Sequence, residues 1–164
     1  MTSDAPVLLN SQILGRAHHA ARALLDRELH RTSTTFHQSL VLNATAGEGG
    51  TVRAGRIVEL LTSTLKIDEA TARDTVSELV TAGLLERQEA AEPLPDQEGE
   101  EEEERVALTG AGRAEQSRLA EFAAEFGPRV YGGIPAEDLA VAGRVLTEVI
   151  ARANAAYAET ADRY

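Results

Sequence analysis

Apolar side chains recur every three or four residues over the first 45 positions, which predicts two amphipathic helices. The first helix is expected over residues 7–30, with an inward face formed by apolar residues. Thr32 and Ser33 are suited to cap a second helix that runs to about Thr45, because their hydroxyls accept from the free amides of a first turn. The inward face of the first helix includes Leu8, Ile13, Leu14, Ala17, Ala21, Leu24, Leu25 and Leu29.

The same spacing predicts two further helices joined by a very short turn. After a glycine-rich turn at 47–50, a third helix is expected over Arg53–Leu65. Asp68 is expected to cap a fourth helix that ends near Ala82, with Gly83 at its C-terminal end. Two helices joined by about three residues form a helix-turn-helix.

Two short strands and an intervening acidic segment follow the fourth helix. Leu84–Gln88 and Val106–Leu108 are predicted strands. Residues 88–105 contain two prolines, a glycine and a run of glutamates, a composition that does not pack and predicts a loop. A strand, a loop and a strand directly after a helix-turn-helix indicate a wing.

Two more helices complete the chain. Thr109 is expected to cap a fifth helix over Gly110–Val130, and Gly132-Gly133 to end it. Pro135 suits the first position of a sixth helix that carries a second apolar stripe. Both helices lie outside the helix-turn-helix, so pairing with a second subunit is the economical way to bury their apolar faces.

Composition narrows the class of protein. At 164 residues the chain is long enough for one domain with a core. It has no cysteine, which excludes disulfides, thiolate metal sites and cysteine nucleophiles. There is no apolar run long enough to cross a membrane and no signal peptide at the start, so a cytoplasmic protein is expected.

Charge is unevenly distributed. The formal net charge is −11, and Glu86–Arg105 contains ten acidic and two basic residues. The remainder is close to balance, so one segment makes the molecule acidic. Net charge bears on the choice of partner rather than on the fold.

The sequence contains no motif for catalysis or for a cofactor. There is no Gly-x-Ser-x-Gly, phosphate loop or Gly-x-Gly-x-x-Gly, and an enzyme is not expected. The four histidines lie in the first two predicted helices without a zinc-binding spacing, so no metal is predicted.

Three segments carry a resemblance to a known family, namely VSELVTAGLLER, VALTGAG and IPAEDLAVAGRVL. They resemble the MarR family of winged helix-turn-helix regulators. VSELVTAGLLER (Val76–Arg87) is similar to the end of the recognition helix and the first wing strand of that family. VALTGAG (Val106–Gly112) is similar to its second wing strand and fifth helix, and IPAEDLAVAGRVL (Ile134–Leu146) to the start of its last helix. The resemblance extends over roughly residues 8–155.

The resemblance implies a mainly α fold with a two-stranded wing and dimerisation helices at both ends. A single domain is expected over 1–164, with dimerisation helices at 8–45 and 110–157 and the winged helix-turn-helix at 51–108. It further implies a homodimer that binds double-stranded operator DNA as a repressor and releases it when a small phenolic or aromatic ligand binds.

Candidate site residues follow from these expectations. The fourth helix would enter the major groove, and nearby basic residues would contact phosphates. The candidate DNA-binding residues are Arg53, Arg56, Lys66, Thr71, Arg73, Ser77 and Arg87. The candidate ligand-pocket residues, in the first two helices, are His18, Arg22, His30 and His37.

Two departures from the family pattern leave an alternative open. The family's Thr-Arg-like pair in the recognition helix, which usually carries a basic residue, corresponds here to Arg73 and Asp74, and the wing tip carries glutamates where the family usually has an arginine. Polyanionic DNA repels such charges. The alternative is therefore a winged-helix protein with lost or autoinhibited DNA binding, which acts on a basic protein partner through its acidic face.

Overall fold

A computed structural model describes residues 8–88 and 104–161, which form six helices and three strands in this part of the chain. The order of helices, wing and terminal helices agrees with the sequence prediction. The elements are α1 (Ser11–Thr32), α2 (Phe36–Gly47), β1 (Thr51–Arg53), α3 (Ala54–Leu65), α4 (Glu69–Thr81), β2 (Leu85–Gln88), β3 (Arg105–Leu108), α5 (Gly110–Tyr131) and α6 (Ala136–Ala161).

The ends of the first two helices differ from the sequence prediction. The side chain of Asn10 caps α1 by accepting from the amides of Gln12 and Ile13. Thr32 and Ser33 do not cap α2, because Thr32 is the last residue of α1 and Ser33 ends that helix in the left-handed conformation (φ 59°). Thr35 is the actual cap of α2. Its hydroxyl accepts from the Gln38 amide while the Gln38 side chain accepts from the Thr35 amide, which forms a reciprocal capping box.

The helix-turn-helix forms as predicted. Lys66 leaves α3 in the left-handed conformation (φ 57°), and its amide donates to the Thr62 carbonyl. Asp68 caps α4 by accepting from the Thr71 amide at 2.9 Å. Gly83 has φ 68° just after α4, where a residue with a Cβ atom is strained, so the predicted glycine stop is confirmed.

The sheet has three antiparallel strands in the order β1-β3-β2, one more than predicted. The additional strand, β1, pairs with β3 so that Val52 lies opposite Val106. Three residues between a glycine turn and a helix are too few for an alternating pattern to be recognised, which is why the sequence did not indicate β1. Pairing of β2 with β3 confirms the predicted wing strands.

The core lies between α2, α3, α4 and the sheet. Val41 and Leu42 of α2 are fully buried, as are Leu61 of α3 and Leu79 of α4. Leu29 of α1 and Leu119 of α5 belong to the same cluster. This packing fixes which face of α4 points outward.

The chain divides into two units, the first ending at Phe122 and the second beginning at Ala123. The predicted cap of α5 is confirmed, since the Thr109 hydroxyl accepts from the Gly112 amide at 3.0 Å. In the second unit, Gly133 has φ 81° and α6 begins at Ala136, one residue after Pro135. Several apolar side chains of this unit are exposed in the single chain, namely Val130, Tyr131, Ile134, Val141, Val145, Ile150 and Tyr157.

Candidate nucleic-acid interface

The outward face of α4 is a polar ridge. Ala72, Thr75, Val76 and Leu79 are buried, and they hold the helix against the core. Residues spaced four, three and four apart share one face of a helix, and here that face lies opposite the buried one. We call this exposed row the α4 ridge; it consists of Ala70, Asp74, Ser77 and Thr81.

Arg73 flanks the α4 ridge and is held by a residue one turn earlier. Its Nη2 and Nε atoms lie 2.5 Å and 3.0 Å from Oε1 of Glu69. Both side chains are about two-thirds exposed, at 64% and 63%. An exposed ion pair of this kind contributes at most about 1 kcal/mol, so the guanidinium can exchange Glu69 for another anion.

Arg87 of the wing strand β2 lies beside the α4 ridge. Its Nη2 donates to the Ser77 hydroxyl at 3.4 Å, and it also forms an ion pair with Glu104. The pairing of β2 with β3 explains this position of Arg87. Arg87 lies opposite Val106, so its side chain is on the same face of the sheet as that buried residue, and β2 is an edge strand. The structure thus brings Ser77 and Arg87 together, although they are ten residues apart.

Thr71 lies on the other flank of α4. Its amide and hydroxyl both donate to the Asp68 carboxylate, the hydroxyl at 2.8 Å. These hydrogen bonds hold the pKa of Asp68 below its ordinary value of 3.8, and the bond from the Thr71 amide has the largest effect. Thr71 also lines a cleft towards α2, away from Arg73.

The remaining candidate phosphate-binding residues lie at the two ends of α3. Arg53 precedes the helix and lies opposite Arg105 of β3. Arg56, in the first turn, is 3.6 Å from a carboxylate oxygen of Glu48. Lys66 follows the last turn and donates to the Ser63 carbonyl at 2.6 Å. A helix of 12 residues is about 18 Å long, so Lys66 is separated from the two arginines.

A cleft of about 470 Å³ separates α4 from α1 and the start of α2. Two of the candidate ligand-pocket residues, Arg22 and His37, line it together with Phe36. The Arg22 guanidinium lies 3.6 Å from the centre of the Phe36 ring, and its Nε donates to Asp26 at 2.7 Å. The α4 side of the cleft is formed by Thr71, Asp74, Thr75 and Glu78.

The other two candidate ligand-pocket residues are not among the residues that line the cleft. His30 forms a hydrogen bond through Nδ1 with the Asp26 carbonyl. The His18 ring lies edge-on to that of His19, with centroids 5.5 Å apart. Of the four candidate ligand-pocket residues, the structure therefore brings Arg22 and His37 together at this cleft.

Two polar links at the α1–α2 junction were not anticipated from the sequence. The Gln38 side chain donates to Glu78 of α4 at 3.0 Å. The Thr34 hydroxyl donates at 3.0 Å to Glu115 of α5, a carboxylate that is only 7% exposed and is also paired with Arg118. The Thr-x-x-Gln spacing of Thr35 and Gln38 was a signal for the cap, but no local pattern indicates contacts to α4 and α5.

The sequence analysis also predicted that the chain has no metal site and no membrane-spanning segment, and that residues 88–105 form a wing loop. Within residues 8–88 and 104–161, no three acidic or histidine side chains cluster so as to hold a metal ion. Over the same residues, none of the helices is both long and apolar enough to cross a membrane. The acidic segment predicted as a wing loop lies outside the described residues, apart from its two ends.

Comparison with known proteins identifies the fold. No protein-family profile matches the chain, and no curated protein matches it in sequence. The structure is similar to the transcriptional regulator SlyA, with a TM-score of 0.69 and 19% identity over 92% of this chain and 99% of that one. A MarR-family regulator from Silicibacter pomeroyi gives a TM-score of 0.65 and 20% identity over 84% and 85% of the two chains.

NadR in complex with 4-hydroxyphenylacetate is a third similar structure, with a TM-score of 0.64 and 19% identity over 92% of this chain and 98% of that one. The likeness to these three structures covers most of each chain. The protein therefore has the winged helix-turn-helix fold of the MarR-family transcriptional regulators.

Proposed function

We propose that the protein is a homodimeric, DNA-binding transcriptional regulator that represses its target and releases DNA when a small aromatic ligand binds. The observation that carries the proposal is the α4 ridge on a helix-turn-helix, with Ser77 of the ridge hydrogen-bonded to Arg87 of the wing strand. In a winged helix-turn-helix, these two elements face the major groove and the adjacent backbone.

The charges around the α4 ridge support DNA binding despite the net charge of −11. Arg73 and Arg87 are engaged by Glu69 and Glu104, but all four side chains are about half exposed or more. Phosphates can replace these carboxylates at little cost, because exposed ion pairs are weak and DNA presents a dense array of charge.

The exposed apolar side chains of the second unit support a homodimer. Val141 and Val145 lie one turn apart on α6 and are 47% and 43% exposed in the single chain. An amphipathic helix with an uncovered apolar stripe is stabilised by burial against another protein surface, and a second copy supplies an identical one.

The cleft beside α4 supports a ligand response. It is lined by the aromatic ring of Phe36 and by polar side chains, and one wall is the helix proposed to enter DNA. A ligand that binds there in the free protein but not in the DNA complex would lower the affinity for DNA. The similar protein NadR was solved with a phenolic acid, 4-hydroxyphenylacetate, which is a suitable first probe.

Fluorescence anisotropy with a randomised duplex library, at low and moderate salt, tests DNA binding. We expect selective, salt-sensitive binding, and we expect Arg73→Ala and Arg87→Ala each to weaken it by about tenfold. Arg152→Ala is the control, because Arg152 is exposed and paired with Glu148 on α6. Absence of selective binding at every salt concentration would refute the proposal and direct the search to basic protein partners.

Titration of the DNA complex with 4-hydroxyphenylacetate tests the ligand response separately. We expect release of DNA by the intact protein and a weaker response in Phe36→Ala, which removes the aromatic wall of the cleft. Equal responses of both proteins would exclude this cleft as the binding site, and no response would exclude this ligand.

A further inference from the structure

Asp74 occupies the middle of the α4 ridge. It lies four residues after Ala70 and three before Ser77, opposite the buried face of the helix. Its side chain is exposed, and it borders a shallow depression shared with Ser77, Glu78 and Thr81. If α4 enters the major groove, Asp74 lies on the face of the helix that is turned towards the bases.

Among the residues that the structure describes, Asp74 differs from the other two carboxylates exposed on α4. Glu69 is paired with Arg73, and Glu78 accepts from Gln38. Asp74 has no hydrogen bond or ion pair within residues 8–88 and 104–161. Binding of a ligand by this carboxylate therefore breaks no contact with the residues that the structure describes.

The chemistry of a carboxylate restricts what Asp74 can bind in DNA. An ionised carboxylate only accepts hydrogen bonds, and phosphates repel it. In the major groove, donors are the N4 amino group of cytosine and the N6 amino group of adenine. Adenine presents the N7 acceptor beside its amino group, which opposes a second carboxylate oxygen, whereas cytosine itself presents only the donor.

We propose that Asp74 is a specificity-determining residue that accepts a hydrogen bond from the N4 amino group of a cytosine in each half-site. This inference rests on the proposed function and adds to it the base that one residue recognises. The carboxylate opposes binding to DNA in general and favours sites that offer the amino group at the right place. It thus increases selectivity at the expense of general affinity.

Selection from a randomised duplex library by the full-length protein, followed by binding measurements on single-base variants, tests the proposal. We expect a cytosine at one position of each half-site, and we expect its replacement by thymine to lower affinity about fivefold or more. Asp74→Ala should abolish the preference there, and Asp74→Asn should shift it towards adenine, which asparagine contacts through N6 and N7.

Glu78→Gln is the matched control, because it removes the same charge one turn away at a position already engaged by Gln38. Both this variant and Asp74→Asn should bind non-specific DNA more tightly, but only Asp74→Asn should change the base preference. Selective binding with an unchanged preference in both Asp74 variants would overturn this inference alone. Absence of selective binding by the unmodified protein would overturn it together with the proposed function.

Discussion

Gly112 shows how a single residue can determine the approach of two elements. A Cβ atom at this position of α5 would lie 1.9 Å from the Leu84 carbonyl oxygen, in the segment that leads into β2. Backbone at this distance cannot yield as a flexible side chain would. Only a glycine allows the helix to pass so close to the start of the wing.

We expect Gly112→Ala to lower the free energy of unfolding by about 1–3 kcal/mol, the usual cost of overpacking. Gly110→Ala is the control, because a Cβ atom there meets nothing within 4 Å. It should leave stability unchanged or slightly raised, since alanine favours a helix more than glycine does. Urea unfolding measures both, and equal stability of the two variants would contradict the close approach.

Asp68 makes the stability depend on pH in a predictable direction. Its pKa is lowered in the folded state by hydrogen bonds from Thr71, first of all from the backbone amide. The carboxylate cap therefore contributes its full stabilisation above the unfolded value near 3.8, and loses it as pH falls through the lower folded value.

We expect Asp68→Asn to reduce the acid sensitivity of unfolding, because asparagine also caps helices but does not titrate. The stability difference between the two proteins should shrink between about pH 5 and pH 2. Thermal unfolding across this range measures it. A difference that stays constant with pH would show that the cap does not titrate as described.

At the scale of elements, the α1–α2 junction connects to both α4 and α5. The link to α5 is the buried one, since Thr34 and Glu115 are 6% and 7% exposed. Loss of a buried hydrogen-bond partner costs more than loss of an exposed one, because the remaining group is left without solvation.

We expect Thr34→Val to lower the free energy of unfolding by about 1–3 kcal/mol, since it leaves Oε1 of Glu115 without its hydroxyl donor. Thr64→Val, at an exposed position of α3, is the matched control and should change stability by less than about 0.5 kcal/mol. Chemical denaturation distinguishes the two, and similar small effects would show that water replaces the hydroxyl.

At the scale of the whole molecule, the apolar stripe of α6 has a testable role in assembly. We expect Val141→Glu combined with Val145→Glu to shift the proposed homodimer to a monomer, because the change places charges in the proposed symmetric interface. Thr147→Glu, an exposed polar position of the same helix, should remain dimeric. Light scattering after gel filtration measures the mass, and a dimer in both variants would place the interface elsewhere.

The acidic segment gives a second prediction at this scale. Glu98 and Glu100–Glu104 account for six of the 27 acidic residues. Replacing all six with glutamine should raise affinity for non-specific DNA at low salt, and the difference should decline as salt screens the charges. Anisotropy at several salt concentrations measures it, and an unchanged affinity at low salt would exclude repulsion by this segment.

The sequence by itself determined the order of the elements, because helix periodicity and capping are local. The turn before Asp68, the stop at Gly83 and the cap at Thr109 were all predicted and are confirmed. Where local signals compete, the prediction was wrong: Thr32 and Ser33 have capping side chains, but Thr35 caps α2 because Gln38 completes its capping box.

Only the tertiary structure decided which distant residues meet. The pairing of β1 with β3, the contact of Ser77 with Arg87, and the link from Thr34 to Glu115 each join segments that no local pattern relates. The exposure of Asp74, and the absence of a hydrogen bond or ion pair from it to any residue that the structure describes, likewise follow from how α4 packs. These features depend on how the apolar faces of the helices and the sheet pack against one another in the core. The orientation of each element in the core is therefore set only once that core has formed.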